Sequence, residues 1–220
     1  MARLLHTRKL ESLVIPASDD ADVFVALAAD QPPLVPSARD LLDAPRESLA
    51  REAFFARRSL ARRALAQRLQ CAPDDVTILR DGDGAPVTSS PSCGLHVSLS
   101  SRGDLIAAAI ASNPVGVDIE PVCAPFEIPA NVLHPGERAA LAAAPQPHEG
   151  FLTIWTAKEA YLKALRTGLA REPVDIEVNF AGPELVVRDR GARVALAAGF
   201  AHILTYKRHE FALACVVLAQ

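Results

Sequence analysis

Apolar and polar positions change their period several times along the chain, and each change marks an element. Leu95–Ser100 and Asp104–Ala111 read as strands, and Ser112-Asn113-Pro114 reads as the turn into a third strand, Val115–Pro121. In that third strand Val115, Val117 and Ile119 fall on one face, while Asp118 and Glu120 project together from the other. Arg46–Leu69 has helical spacing, with Leu49, Ala53, Leu60, Ala64 and Leu65 as its buried face and several arginines turned outward. Residues 134–144 and 149–167 are also helical by period. Beyond Pro173 the pattern returns to strands at Val174–Phe180, Glu184–Arg188, Arg193–Ala197 and Phe211–Leu218, the last nearly all apolar and therefore central. Residues 1–45 are broken by Pro16, Pro32, Pro33, Pro36 and Pro45 and predict a strand or two joined by turns. Asp81-Gly82-Asp83-Gly84-Ala85-Pro86 reads as a hairpin turn, because the alternating ligands and closing Glu of a calcium loop are missing. The order predicts an α+β fold in two halves, 1–112 and 113–220, without detectable sequence repetition between them.

Composition narrows the class. At 220 residues and 50% apolar the chain can bury a sizeable core, but with 5% aromatic residues that core must be Ala, Leu, Val and Ile. Few aromatics and a net charge of −3 argue against nucleic acid and against an anionic membrane surface as partners. Cys71, Cys93, Cys123 and Cys215 are dispersed, which predicts buried free thiols rather than a zinc site or disulfide scaffold. Charge interrupts the first nine residues before any secretory apolar region, and no uncharged apolar run approaches the roughly 18 residues of a spanning helix, so the expected location is cytoplasmic. The basic residues are lopsided. Only Lys9, Lys158, Lys163 and Lys207 are lysines, and residues 46–68 hold seven arginines against two glutamates, a net +5 in an acidic protein.

Two segments carry candidate chemistry. Asp118 and Glu120 are close enough to repel, and a hard cation such as Mg²⁺ would stabilise the pair. Alternating acids on the solvent face of an edge strand would give the same pattern. The second segment is Trp155-Thr156-Ala157-Lys158-Glu159-Ala160-Tyr161-Leu162-Lys163. On a helix Trp155, Glu159 and Lys163 share one face, so Glu159 can supply a third carboxylate beside cations, a combination suited to a pyrophosphate. An ordinary Glu-to-Lys helix pair beneath a core Trp is the simpler alternative.

Gly116-Val117-Asp118-Ile119-Glu120, followed by Trp155-x-x-Lys158-Glu159-x-x-x-Lys163, resembles the paired signature of 4′-phosphopantetheinyl transferases. His96–Asp104, Leu133–Arg138 and Gly168-Leu169 resemble further blocks of the larger, single-chain, surfactin-synthetase-activating (Sfp-like) class. The resemblance implies a pseudo-symmetric fold of two α+β halves, each a small antiparallel sheet packed with helices. It also implies a monomer that transfers the phosphopantetheine arm of coenzyme A to a serine of an acyl or peptidyl carrier protein, releasing 3′,5′-ADP. By the same resemblance Asp118, Glu120 and Glu159 would hold Mg²⁺, with Glu159 as general base. Lys163 would contact the phosphates and aid the leaving one, and Lys158 would add charge nearby. Arg46, Arg58 and Ser59 match positions near the 3′-phosphate and adenosine, which assigns that end of coenzyme A to the first half and the metal and catalytic helix to the second.

Two departures stand out: Ser100-Ser101 replaces the usual Ser-His, and Gly84-Ala85-Pro86 lacks a basic residue between Gly and Pro. Both remove positive charge, and Arg102 is placed to compensate. A non-catalytic relative that binds coenzyme A or a carrier, or another Mg²⁺-dependent pyrophosphate phosphotransferase, are the alternatives. An Arg-bearing surface and the apolar residues near 121–152 are the expected carrier-docking elements. His96 is expected to be structural.

Overall fold

The computed structural model describes residues 12–91, 94–123, 126–167, 170–181 and 184–220. Cys93, Gly168-Leu169 and the first nine residues, all weighed above, lie outside the described residues. The chain runs β1 (Leu13–Ser18), β2 (Ala21–Leu27), α1 (Ala38–Asp43), α2 (Ser48–Leu69), β3 (Thr77–Arg80), β4 (Pro86–Ser90), β5 (His96–Arg102), β6 (Leu105–Ala111) and β7 (Val115–Pro121). It continues through α3 (Pro135–Ala142), α4 (Pro147–Leu165), β8 (Ile176–Ala181), β9 (Glu184–Asp189), β10 (Ala192–Arg193), β11 (Leu196–Tyr206) and β12 (His209–Leu218). The result is a mixed α+β fold with antiparallel sheets. One sheet has the order β1-β2-β6-β5-β4-β3, a second β11-β12-β7, and a third β10-β9-β8. No helix among the described residues is long and apolar enough to cross a membrane.

Strand alternation builds the layers. In β6, Leu105, Ala107 and Ala109 enter a sheet-on-sheet core shared with Val115, Val117 and Ile119 of β7 and Phe211, Leu213 and Cys215 of β12. The intervening Ile106, Ala108 and Ile110 pack against Leu60, Ala61, Ala64 and Leu65 of α2. On the far side of the second sheet, Ala212, Ala214 and Val216 meet Ala157, Ala160 and Ala164 of α4. Covering both faces of β6 and β12 explains why these strands are almost wholly apolar, and β12 is central as expected.

Gly116 sets the distance between α4 and β7. A Cβ built there would lie 1.8 Å from the Ala160 carbonyl oxygen and 2.6 Å from the Ala164 nitrogen, so only glycine lets the helix backbone approach this strand.

Several expectations need correction. Leu49 is exposed, and Phe54 takes the inward position at that end of α2. Several arginines of α2 are expected to face outward, but Arg58 and Arg62 are buried: Arg58 bonds the Ile78 carbonyl and Arg62 the Pro73 and Val35 carbonyls. Each guanidinium offers several donors, and these carbonyls, with Asp40 beside Arg58 and Asp74 beside Arg62, satisfy them inside the fold. The strand expected at 193–197 is instead the end of β10 and the start of β11, a long strand whose mixed Ala, Gly and His content hid its period. The short helix α1 sits among prolines and starts on a Ser37–Asp40 capping box. Of the described cysteines only Cys215 is fully buried, and Cys123 is exposed.

Candidate active site

Strands β5 and β7 belong to different sheets, yet alternate side chains of β5 cross to β7 in three successive rungs. The Ser98 hydroxyl accepts from the Val117 amide at 3.0 Å, and the Ser100 hydroxyl donates to Asp118 Oδ1 at 2.7 Å. Arg102 Nε donates to both oxygens of Glu120, at 2.8 and 3.0 Å. The first two rungs are buried, whereas the Arg102 side chain is 59% exposed. The pattern Ser-x-Ser-x-Arg opposite Val-Asp-Ile-Glu is the sequence trace of this ladder, and period-2 logic could have found it.

Helix α4 brings Glu159 and Lys163 to the same place because Gly116 admits it so closely. Lys163 Nζ donates to Asp118 Oδ1 at 2.7 Å and to the Val117 carbonyl at 3.0 Å. Burial pushes the carboxyls of Glu159 and Glu120 above the ordinary range, and the Asp118 charge raises both further. Lys163 opposes this at both groups, and the bond from Arg102 opposes it at Glu120. The structure therefore assembles the expected cluster of Asp118, Glu120, Glu159 and Lys163 from two distant segments.

A cleft of about 260 Å³ opens from this cluster, lined by Phe54, Arg57, Arg58, Arg80, His96, Lys163, Arg166 and the Asp83–Pro86 turn. Its wall is strongly cationic. The guanidinium carbons of Arg57, Arg58 and Arg80 lie 5.4, 5.2 and 5.8 Å from the centre of the buried Phe54 ring. Burial, followed by repulsion from Arg80 and Arg58, pulls the Arg57 pKa down to about 10. The His96 imidazole is also pulled down, first by burial and then by the Arg166 charge. Several positive groups held together against their own repulsion form a ready site for a polyanion.

Sequence reasoning passed over Arg57, Arg80 and Arg166 and read His96 as merely structural. Arg57 beside Arg58 was the available signal, whereas Arg80 and Arg166 join the wall only through tertiary packing. Arg57 Nη1 donates to the Ser101 hydroxyl at 2.9 Å, so a cation stands at the position where the usual histidine is missing. Arg166 closes the α4 C-terminus in left-handed geometry and donates to Asp81, fixing the β3–β4 turn against the cleft.

Other expected contacts are placed elsewhere. Lys158 is fully buried, with Nζ 2.6 Å from Glu137 Oε2 and 2.9 Å from the Val132 and Pro173 carbonyls. It points away from the carboxylate cluster, because a residue five positions before Lys163 lies on a different helix face. Its charge therefore holds α3 and the chain before β8 onto α4 rather than serving phosphates. Ser59 is buried and accepts from the Leu34 amide, and Arg46 is exposed; neither lines the cleft.

The carboxylate cluster fits a divalent cation. Asp118 Oδ2 is buried without a hydrogen-bond partner, burial disfavours the charged forms of Glu120 and Glu159, and an all-oxygen donor set suits a hard ion. Among the described residues no three His, Cys, Asp or Glu side chains already surround one point, so enclosing an ion requires side chains to move.

An acid cluster joined to a cationic cleft through one lysine defines a class of site for phosphorylated substrates, and comparison with known proteins supplies the family. Residues 114–216 match the 4'-phosphopantetheinyl transferase superfamily. An L-aminoadipate-semialdehyde dehydrogenase-phosphopantetheinyl transferase of Schizosaccharomyces pombe is 30% identical over 173 residues, covering 66% of this chain and 67% of that protein. The 4'-phosphopantetheinyl transferase gsp of Aneurinibacillus migulanus is 27% identical over 113 residues, covering 50% of this chain and 46% of that one. A solved structure, the holo-(acyl-carrier-protein) synthase of Thermotoga maritima, aligns with a TM-score of 0.36 at 23% identity, over 49% of this chain and 64% of that one. The chain belongs to the 4′-phosphopantetheinyl transferase superfamily and is a transferase.

Proposed function

We propose that this protein transfers the 4′-phosphopantetheine arm of coenzyme A to a serine of an acyl or peptidyl carrier protein, with Mg²⁺ as the divalent ion. The observation that carries the proposal is the continuity of charge from the arginine-lined cleft, through Lys163, to Asp118, Glu120 and Glu159. A polyanionic donor would lie along the cleft with its pyrophosphate at the Lys163 end. Arg57 and Arg80 would take the place of the absent histidine and of the basic residue missing at Ala85.

Asp118, Glu120 and Glu159 would hold the ion, which supplies positive charge to offset the negative charge developing on the phosphoryl oxygens. The carrier serine oxygen bonds to the pantetheine-bearing phosphorus while that phosphorus loses its bond to the bridging oxygen, and 3′,5′-ADP departs. Glu159, whose carboxyl burial pushes above its ordinary value, takes the serine proton, directly or through a water. Lys163 places an ammonium beside the departing phosphate. The seam between two halves is proposed near residue 112, because the first sheet uses β1 to β6 and the others use β7 to β12. Free thiols at Cys71, Cys123 and Cys215 are in keeping with a reducing, cytoplasmic setting, and the proposed working unit is a monomer.

The test is mass spectrometry of an apo carrier protein incubated with the enzyme, coenzyme A and Mg²⁺. A gain of one phosphopantetheine group, absent with Glu159→Gln, supports the proposal. No gain across a panel of carriers at saturating coenzyme A refutes it.

A further inference from the structure

The third rung between β5 and β7 differs from the other two. Ser98 and Ser100 make buried neutral or singly charged bonds, but Arg102 places a full positive charge on Glu120 at the open end of the ladder. One Nε sits between both Glu120 oxygens, where an ion held by both would lie, so a divalent ion taking that position displaces the guanidinium. Lys163 likewise occupies one oxygen of Asp118, while the other is buried and unpartnered. Two of the three carboxylates of the metal-free cluster are thus paired with side-chain cations.

We propose that Arg102 is an exchangeable counter-ion: it occupies Glu120 until a divalent ion arrives, and once displaced it binds the phosphates of the substrate. This inference rests on the proposed donor and adds a residue and a coupling that the proposal itself does not require. Three observations favour exchange over a permanent bridge. The Arg102 side chain is mostly in solvent while the Glu120 side chain is only 14% exposed, so the cation is the partner free to swing. Arg102 is followed by Gly103, whose φ of +57° makes the tight β5–β6 turn, so its side chain extends from the very end of the strand. Its rung lies beside the Ser100–Asp118 rung, which Lys163 of the cleft also bonds, so the released guanidinium is on the same face as the Lys163 end of the cleft. A divalent ion that displaces a cation poised for phosphate makes ion and substrate bind cooperatively, because each relieves the other's cost.

The experiment measures binding, not turnover. Mn²⁺ affinity, followed by electron paramagnetic resonance, and coenzyme A affinity, followed by calorimetry with and without Mg²⁺, are compared for the wild type and Arg102→Gln. Exchange requires the variant to bind Mn²⁺ alone more tightly, by roughly twofold to fivefold, the strength of an opposing exposed ion pair. Its coenzyme A affinity without metal stays at the wild-type value, because Arg102 is then on Glu120 in the wild type too. With Mg²⁺ present the variant binds coenzyme A more weakly than wild type. Equal Mn²⁺ affinities overturn the inference, and so does an equal loss of coenzyme A affinity with and without metal, which would mark Arg102 as a permanent phosphate contact. If wild type takes up no coenzyme A in either condition, the proposed donor is refuted, and the Mn²⁺ comparison alone still decides whether Arg102 competes with the ion.

Discussion

Replacing Lys158 with methionine separates a lysine that serves the core from one that serves phosphates. Methionine keeps most of the side-chain volume and removes the charge. It strands Glu137, which is 2% exposed and keeps only the His134 and Val178 amides, at 2.8 and 2.7 Å, as donors. It also strands the Val132 carbonyl, whereas the Pro173 carbonyl loses Nζ but keeps the Ile176 amide as a donor. Removing one partner of a buried ion pair costs about 3–5 kcal/mol. The two remaining amides offset part of this and the stranded Val132 carbonyl adds about 1–3 kcal/mol if no water reaches it, so a loss of about 4 kcal/mol is expected. In a chain of this size that lowers Tm by about 8–16 °C. The urea midpoint should fall with the slope unchanged, while coenzyme A affinity below the transition stays within about twofold of wild type. Adding Glu137→Gln should restore part of the stability, since the buried charge is removed and one of the two amides keeps its acceptor. An unchanged midpoint combined with lost coenzyme A affinity would refute this reasoning and return Lys158 to the phosphates.

Gly116→Ala should cost about 3 kcal/mol, because its Cβ meets helix backbone that no rotamer change can move, and the folded fraction should lose transfer activity as α4 shifts; thermal melts and single-turnover assays check the two parts. Glu159→Gln should raise the urea midpoint of the metal-free protein while abolishing transfer, since it removes a partly buried charge repelled by Asp118. Glu120 and Glu159 hold protons in the folded chain at pH values where the unfolded chain has released them. Metal-free stability should therefore fall as pH rises from about 4.5 through the raised values, with divalent-ion affinity rising over the same window; urea midpoints and Mn²⁺ titrations across that range test the sign. Arg57→Ala should weaken coenzyme A binding by roughly tenfold to a hundredfold, the worth of a charge-assisted contact, and flatten its dependence on salt, both readable by calorimetry.

Strand and helix placement around the site was legible because Val115–Pro121 and residues 147–165 have clean periods of 2 and 3.6. That Asp118 and Glu120 share one strand face, and Glu159 and Lys163 one helix face, could also be anticipated from alternation and i, i+4 spacing, whereas the meeting of the two faces was implied only by the family resemblance. The sequence by itself thus determined which side chains share a face and which chemistry they can offer. It could not tell Lys158 from Lys163, because both are lysines in one helix. Only packing shows that one is enclosed by Glu137 and two carbonyls while the other reaches Asp118. Nor could it decide which arginines of α2 point inward, or that Arg80 and Arg166 from distant elements complete the cleft. Periodicity is a property of one element, whereas the partner of a charge depends on which elements meet. Here that meeting was set by Gly116, the residue with no side chain, which lets α4 lie against β7.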